Sequence, residues 1–312
     1  MKSSERLTKA WYGVLVLLMA FGGWAIIERV QAGLVVTNLT SDMTWGAWVA
    51  FYIFFVGLSI GSFLLSAMFF VFKMEKYQKI GRDALLVAIL SMGLAMCFIL
   101  LDLGRMERFW HTLRYWNFTS MLAWEVRFYA IYIGLLIAEF YLSMRQDLIR
   151  VAQGTGWQAS LARFLAFGST DLTDKSKQRD HKLLKILGSI GIPIAIFGVL
   201  GGEGMLFAGV KARPFWNSGL LPVILIVSAL VASTALLLVF YVIRTKAMGR
   251  EVDKEMVTSL AGLLTLFLLI EVGMEFFEFF VGAYGLEDTE LATIETIFRS
   301  PFSWSFWSQG FA

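Results

Sequence analysis

Ionisable and aromatic side chains recur in this chain where apolar sequence would serve folding better. The stretch LDLGRMERFWHTLRYWNFTSMLAWEVR, residues 101–127, concentrates them: Asp102, Arg105, Glu107, Arg108, His111 and Arg114, then Asn117, Trp124, Glu125 and Arg127. It separates two apolar runs, each long enough to cross a bilayer. Charge beside hydrocarbon is costly and is retained mainly at functional positions. Asp102 and His111 are the candidates for proton transfer, because a carboxylate and an imidazole exchange protons at accessible pH. Asp102 and Arg105 are spaced i, i+3 and are expected to pair. Trp124 and Arg127 have the same spacing and suit a cation–π contact. The structural alternative is an interfacial segment anchored by Arg and Trp.

Further groups stand inside apolar runs. Trp45, Trp48 and Tyr52 are spaced i, i+3, i+7 and share one helix face. A buried Tyr52 hydroxyl needs a partner, and a flat ligand with polar edges suits it. The alternative is an aromatic belt beside the packing groove of Gly57 and Gly61. Glu203 sits in Gly201-Gly202-Glu203-Gly204, deep in an apolar run. Glu271, Glu275 and Glu278 fall on one helix face by their spacing. These four carboxylates are candidates for a proton path. The alternatives are a Glu203 locked to an arginine or carbonyl, and a solvated glutamate face.

The elements that must position these groups are membrane spans. The 312 residues are 58% hydrophobic and 16% charged, with mean hydropathy +0.68, against about 25% charged residues in ordinary globular chains. A helix needs roughly 20 apolar residues to cross a bilayer, and the runs at about 10–31, 44–72, 83–103, 120–143, 183–209, 218–243 and 256–283 qualify. The fold class is therefore all-α, a polytopic transmembrane helix bundle of seven spans, with the start of an eighth near Pro301. The first run is read as an uncleaved span, since Glu28, Arg29 and Gln31 follow its apolar stretch Ala10–Ile27 in place of a cleavage site. Eighteen Lys and Arg residues fall in the N-terminus and even-numbered connections, against six in the odd-numbered ones. That bias predicts a cytoplasmic N-terminus and puts residues 101–127 on the outer, periplasmic-type face. The cytoplasmic connection 144–182 is the long one. It is expected to hold an amphipathic surface helix up to about Phe167, then a polar loop, GSTDLTDKSKQRD.

Several function classes are excluded. A net charge of +3, without a basic run interleaved with aromatics, gives no nucleic-acid surface. One cysteine, Cys97, holds no iron–sulfur cluster and is expected to pack in the core. There are two histidines, His111 and His181. Two bis-histidine haems need four, so a transmembrane haem wire is excluded. If the chain serves a redox reaction, its metal centres belong to a partner.

WGAWVAFYIFFVGLSIGSFLLS, LDLGRMERFW with NFTSMLAWEVR, and ARPFWNSGLLPVILIVSAL together resemble the NrfD/PsrC family. The resemblance runs from about Thr44 to the C-terminus. It divides the chain into an extra N-terminal helix and outer connection, 1–43, and an NrfD-like membrane domain, 44–312. It implies a haem-free membrane subunit of a molybdopterin and iron–sulfur oxidoreductase complex in the inner membrane of a prokaryote. It implies quinol or quinone (menaquinone or ubiquinone) bound near the outer face, and electron exchange with a docked ferredoxin-like iron–sulfur subunit. Trp48, Tyr52, Arg105, Trp124 and Glu125 are the expected quinone contacts. Tyr52 falls where the polysulfide reductase type has a histidine, and Val49 where it has an asparagine. Asp102 and Arg105 match the family's Asp-x-Gly-Arg. Similar proteins continue for at least one more helix. A proton-coupled secondary transporter and a passive membrane anchor for a redox enzyme are the rival functions.

Overall fold

The computed structural model describes residues 2–40, 44–213, 216–285, 288–301, 303–304 and 307–308. Among these residues the chain is all-helical, and seven helices are long and apolar enough to cross a membrane. The protein is thus a multi-pass membrane protein, as its run lengths predict. The elements are α1 (Lys2–Ala32), α2 (Ala47–Phe70), α3 (Gln78–Asp102), α4 (His111–Arg114), α5 (Met121–Ala152), α6 (Trp157–Leu165), α7 (Asp174–Pro193), α8 (Gly201–Ala208), α9 (Leu221–Ala247), α10 (Lys254–Gly285) and α11 (Asp288–Arg299). A π-helical segment, Ile194–Leu200, joins α7 to α8 within one span. Pro193 immediately precedes it and removes one backbone donor. The expected start of an eighth span, from Pro301, lies mostly outside the described residues.

The chain divides into two compact units, residues 1–53 with 93–115, and residues 54–92 with 116–312. The first holds α1, the start of α2, the end of α3 and the turns that follow. Arg29 is its keystone and is 3% exposed. Its Nε donates to Leu101 O (3.0 Å) and its Nη2 to Leu103 O (2.7 Å). The last carbonyls of a helix have no intrahelical donors, and a cation there also suits the helix dipole. The guanidinium also lies 5.6 Å from the centre of the Trp48 ring. Cys97 is exposed on α3 and does not pack in the core. The apolar run fixed its setting as hydrocarbon without fixing which face it takes.

The second unit packs through small residues, as expected where lipid removes the hydrophobic drive between helices. Gly57 and Gly61 of α2 meet Ala229 of α9, and Ser233 Oγ donates to Leu58 O (3.1 Å). Gly191 faces Phe63, Gly198 faces Phe128, and Gly204 faces Pro222. On α7, Ser176, Asp180, Leu184, Gly188 and Gly191 form one buried face, and α7 packs against α5.

The 144–182 connection is more helical than its composition suggests. The amphipathic helix is present as α6, with Ala159 and Ala162 buried and Trp157 and Phe164 exposed. The polar segment after it is not all loop, since α7 begins at Asp174. Thr173 caps α7 by accepting from Ser176 N (3.3 Å). Arg145 holds the segment down from α5. Its Nη1 donates to Asp180 Oδ2 (2.7 Å) and Ser176 Oγ (2.8 Å), and its Nη2 to Ser169 Oγ (2.8 Å). Asp171, ahead of the cap, accepts from Thr173 N (3.0 Å) and Thr173 Oγ1 (2.7 Å), which holds its carboxyl below the usual carboxylate range.

Candidate functional site

Five expected site residues lie in the first unit. Trp48 stands in the first turn of α2 under Arg29, and Tyr52 is one turn further in and buried. Trp45 precedes the start of α2. Asp102 is the last residue of α3. The expected Asp102–Arg105 pair does not form among the described residues. The helix stops at Asp102, and Arg105 is exposed with a non-helical backbone (φ −124°, ψ 81°) ahead of the 3₁₀ turn Met106–Arg108. Arg29, which the spacing argument passed over, takes the helix-end carbonyls instead. Asp102 Oδ1 is buried and has no hydrogen-bond partner among the described residues. His111 opens α4 between Trp110 and Tyr115, with ring centres at 4.2 and 5.4 Å.

The other expected residues lie in the second unit. Trp124 does not carry a cation. Its Nε1 donates to Phe118 O (3.0 Å), and its ring stacks on Phe128 (6.1 Å). Arg127 instead lies 4.2 Å from the centre of the Trp116 ring, while its Nη1 donates to Ala123 O (2.6 Å). The loop carbonyl of Phe118 claims the indole, so the cation takes the other tryptophan. Trp116, Phe118, Trp124 and Phe128 form one aromatic wall.

Next to Trp124 in the chain, Glu125 is buried, and Tyr129 one turn on donates to its Oε1 (2.5 Å). Glu203 is fully buried on α8. Among the described residues neither of its carboxylate oxygens has a hydrogen-bond partner. Helix α8 packs on α5, and Glu125 is the acid within electrostatic reach of Glu203. Two carboxylates singled out separately in the sequence, one as a ligand contact and one as a proton group, therefore lie within electrostatic reach of each other. Gly204 lets α8 approach α9 closely. A Cβ on Gly204 would stand 2.5 Å from Pro222 Cα.

On α10, Glu271 and Glu278 are within electrostatic reach of Glu275, as their spacing predicts. Glu275 is exposed and its two neighbours are half-buried. Their face is far more open than the setting of Glu203.

Sequence reasoning missed three groups besides Arg29. Tyr129 is one. The others are Tyr132 and Glu139, both buried on the same face of α5. The signal was available: Glu125, Tyr129, Tyr132 and Glu139 keep a helical phase inside an apolar run.

A buried acid with unpartnered oxygens is expensive to keep. It suits a group that takes up and gives up protons. An aromatic wall, with a buried carboxylate and phenol on the same helix α5, suits a flat ring with oxygen substituents.

Known proteins are similar to this chain along nearly its whole length. The profile of the family described as polysulphide reductase, NrfD, matches residues 35–311. A selenate reductase component from Mesobacillus selenatarsenatis is 40% identical over 309 residues, covering 96% of this chain and 71% of that protein. The Hdr-like menaquinol oxidoreductase integral membrane subunit of Archaeoglobus fulgidus is 27% identical over 94% of this chain and 66% of its own length. The menaquinone reductase integral membrane subunit of Nitratidesulfovibrio vulgaris is 22% identical over 96% of this chain and 70% of its own length. The chain thus spans about two thirds of the length of these relatives. With the family profile covering most of its residues, the chain belongs to the NrfD, polysulphide reductase family.

Proposed function

We propose that this chain is the quinol-reactive membrane subunit of a prokaryotic respiratory complex. In this reading it takes electrons and protons from quinol near the outer face and passes the electrons to a partner iron–sulfur subunit. The observation that carries the reading is the pair of buried acids, Glu125 with Tyr129 and Glu203, together with the Trp116–Phe128 aromatic wall. Two of the relatives are named for menaquinol or menaquinone, and a third for a reductase of which it is one subunit. Those names support the ligand class and the presence of partner chains.

A bound quinol supplies two electrons and two protons. The wall holds the ring and excludes water from it. Glu125 accepts a proton on the carboxylate that Tyr129 orients, and the glycine-flanked Glu203 receives it next. Arg127, drawn over Trp116, fixes the wall on the side of the loop. The exposed turns at 104–115, with Arg105, Arg108, Phe109, Trp110 and Arg114, supply a mixed basic and aromatic surface for the partner. The Lys/Arg bias supports a periplasmic position for those turns. The Glu271–Glu278 face of α10 joins the proton-handling groups in this reading.

A second placement of the head group has its own support. Asp102 Oδ1 is buried and unpartnered in the described first unit, where Trp48, Tyr52 and His111 were expected to serve. Purification of the complex with its partner chains separates the two placements. Electron transfer sensitive to a quinol analogue should fall about 100-fold in Glu125→Gln, in the range of a lost acid–base group. If Glu125→Gln is unaffected and Tyr52→Phe with Asp102→Asn is impaired, the head group belongs to the first unit. If none of these variants changes quinol oxidation, the reading fails.

A further inference from the structure

The short helix α6 turns its large apolar side chains away from the protein. Its buried residues are small, Ala159 and Ala162, and Ala166 just past its end is buried too. These three keep helical spacing on one side, while Leu161, Phe164 and Leu165 fall on the other. Phe164 is 76% exposed, and Phe167, just beyond the helix, is 82% exposed. Water is a poor surrounding for such a face.

Phe167 is also held at a cost to the backbone. Its φ of +50° lies in the left-handed region, which a bulky side chain disfavours. Gly168 follows at φ +70°, and its N–H donates to Arg163 O (3.3 Å), which closes the end of α6. The turn sets the Phe167 ring 5.6 Å from the ring of Tyr141. Tyr141 stands near the end of the apolar run of α5 at about 120–143. The 32 residues of α5, at about 1.5 Å of rise each, exceed a hydrocarbon core of about 30 Å. Helix α6 packs on α5, and its end returns to the edge of that run.

Helix α7 carries charge to the same level. Asp180 accepts from Arg145 and Gln146 of α5, and a Cβ on Gly188 would lie 3.9 Å from both Glu139 oxygens. Residues 181–187 therefore run beside the part of α5 that holds Tyr141. Lys182 and Lys185 fall there, with Arg179 just before them, and all three are exposed. The acids nearby are already taken. Asp180 pairs with Arg145, Asp147 with Arg82, and Asp174 with Lys177. Arg179, Lys182 and Lys185 form no ion pair among the described residues.

We propose that Phe164 and Phe167, with Arg179, Lys182 and Lys185, form an anchoring surface for anionic phospholipid. The two rings enter the boundary between acyl chains and headgroups. The lysine stems lie along apolar surface, and their ammonium groups and the Arg179 guanidinium meet lipid phosphates. Unpaired cations at headgroup depth favour anionic over zwitterionic lipid. The surface stands at the opposite end of α5 from Trp124 and Phe128, and it does not depend on the quinol reading.

The test uses the purified full-length chain in detergent, titrated with phosphatidylglycerol or with phosphatidylcholine of the same acyl chains. Native mass spectrometry counts the bound lipid. Wild type should prefer phosphatidylglycerol. Arg179→Gln, Lys182→Gln and Lys185→Gln together should lower that preference by about 100-fold, at roughly fivefold for each cation. Lys211→Gln, Arg213→Gln and Arg299→Gln together remove as much charge elsewhere and should leave the preference in place. Absence of a preference in wild type, an unchanged preference in the first triple variant, or an equal loss in both overturns the proposal. A second measurement reads the rings. Phe164→Cys in a Cys97→Ala background carries a spin label in phosphatidylglycerol vesicles. Molecular oxygen, which concentrates in hydrocarbon, should relax the label more than an aqueous nickel chelate does. The reverse order would place Phe164 in water and overturn the insertion.

Discussion

Replacing Glu203 by methionine should make the protein more stable and less active. Both oxygens of Glu203 lack hydrogen-bond partners among the described residues, and the side chain is fully buried. A buried polar group left unsatisfied costs about 1–3 kcal/mol. Methionine has a similar length and adapts its shape to irregular space, and swaps that conserve volume usually cost under about 1.5 kcal/mol. The neighbourhood cannot collapse further, because Gly204 already sits close against Pro222. The balance favours Glu203→Met by about 1 kcal/mol. Thermal unfolding of the purified protein in detergent, compared with wild type in the same detergent, reads this directly. The same variant should lose quinol-dependent turnover by about 100-fold if Glu203 passes protons. Stability held below its optimum for activity is a familiar exchange. A Glu203→Met variant that unfolds more easily than wild type would show that the carboxylate has a stabilising partner, and the reasoning from its unpartnered oxygens would fail. Unchanged turnover would remove Glu203 from the proton route.

Arg145→Met should destabilise the protein by about 3–5 kcal/mol, because it leaves Asp180 buried with, among the described residues, only Gln146 Nε2 (2.9 Å) donating to it. Adding Asp180→Leu should recover most of that loss, and a double-mutant cycle by thermal unfolding measures it. Gly61→Ala should cost about 1–3 kcal/mol, since the new Cβ would stand 2.7 Å from the Ala229 carbonyl carbon, a backbone atom that no rotamer change can move. Unfolding of Gly61→Ala beside the solvent-facing control Gly249→Asn separates overpacking from any general effect of losing a glycine.

The spans were legible because run length against bilayer thickness is nearly a one-parameter question. Contacts at helix ends were much less legible. Spacing paired Asp102 with Arg105, yet the carbonyls at the end of α3 are claimed by Arg29 from another helix. Periodicity within one segment cannot reveal a donor some seventy residues away. Spacing likewise assigned Arg127 to Trp124. The indole instead bonds a loop carbonyl, and loop conformation is what sequence patterns encode least well. The polar segment after Phe167 read as loop because its residues are hydrophilic. Its second half is helical because Thr173 caps it and a buried arginine reaches it from α5. Glu203 was legible as a costly acid among glycines. Its meeting with Glu125 needed the packing of α8 on α5.

The seven π-helical residues 194–200 set the register of the fifth span as well as its shape. A π turn is an α-helix that has accommodated one extra residue. Each residue turns an α-helix by about 100°, so the insertion resets the phase of everything after it. Before the segment, Asp180 and Gly188 already belong to the face packed on α5. After it, Glu203 belongs to that face too. Deleting one residue between Ile194 and Leu200 would swing Glu203 by about 100° while leaving every neighbouring side chain unaltered in type. Chain length inside this span therefore decides which face of the helix Glu203 occupies.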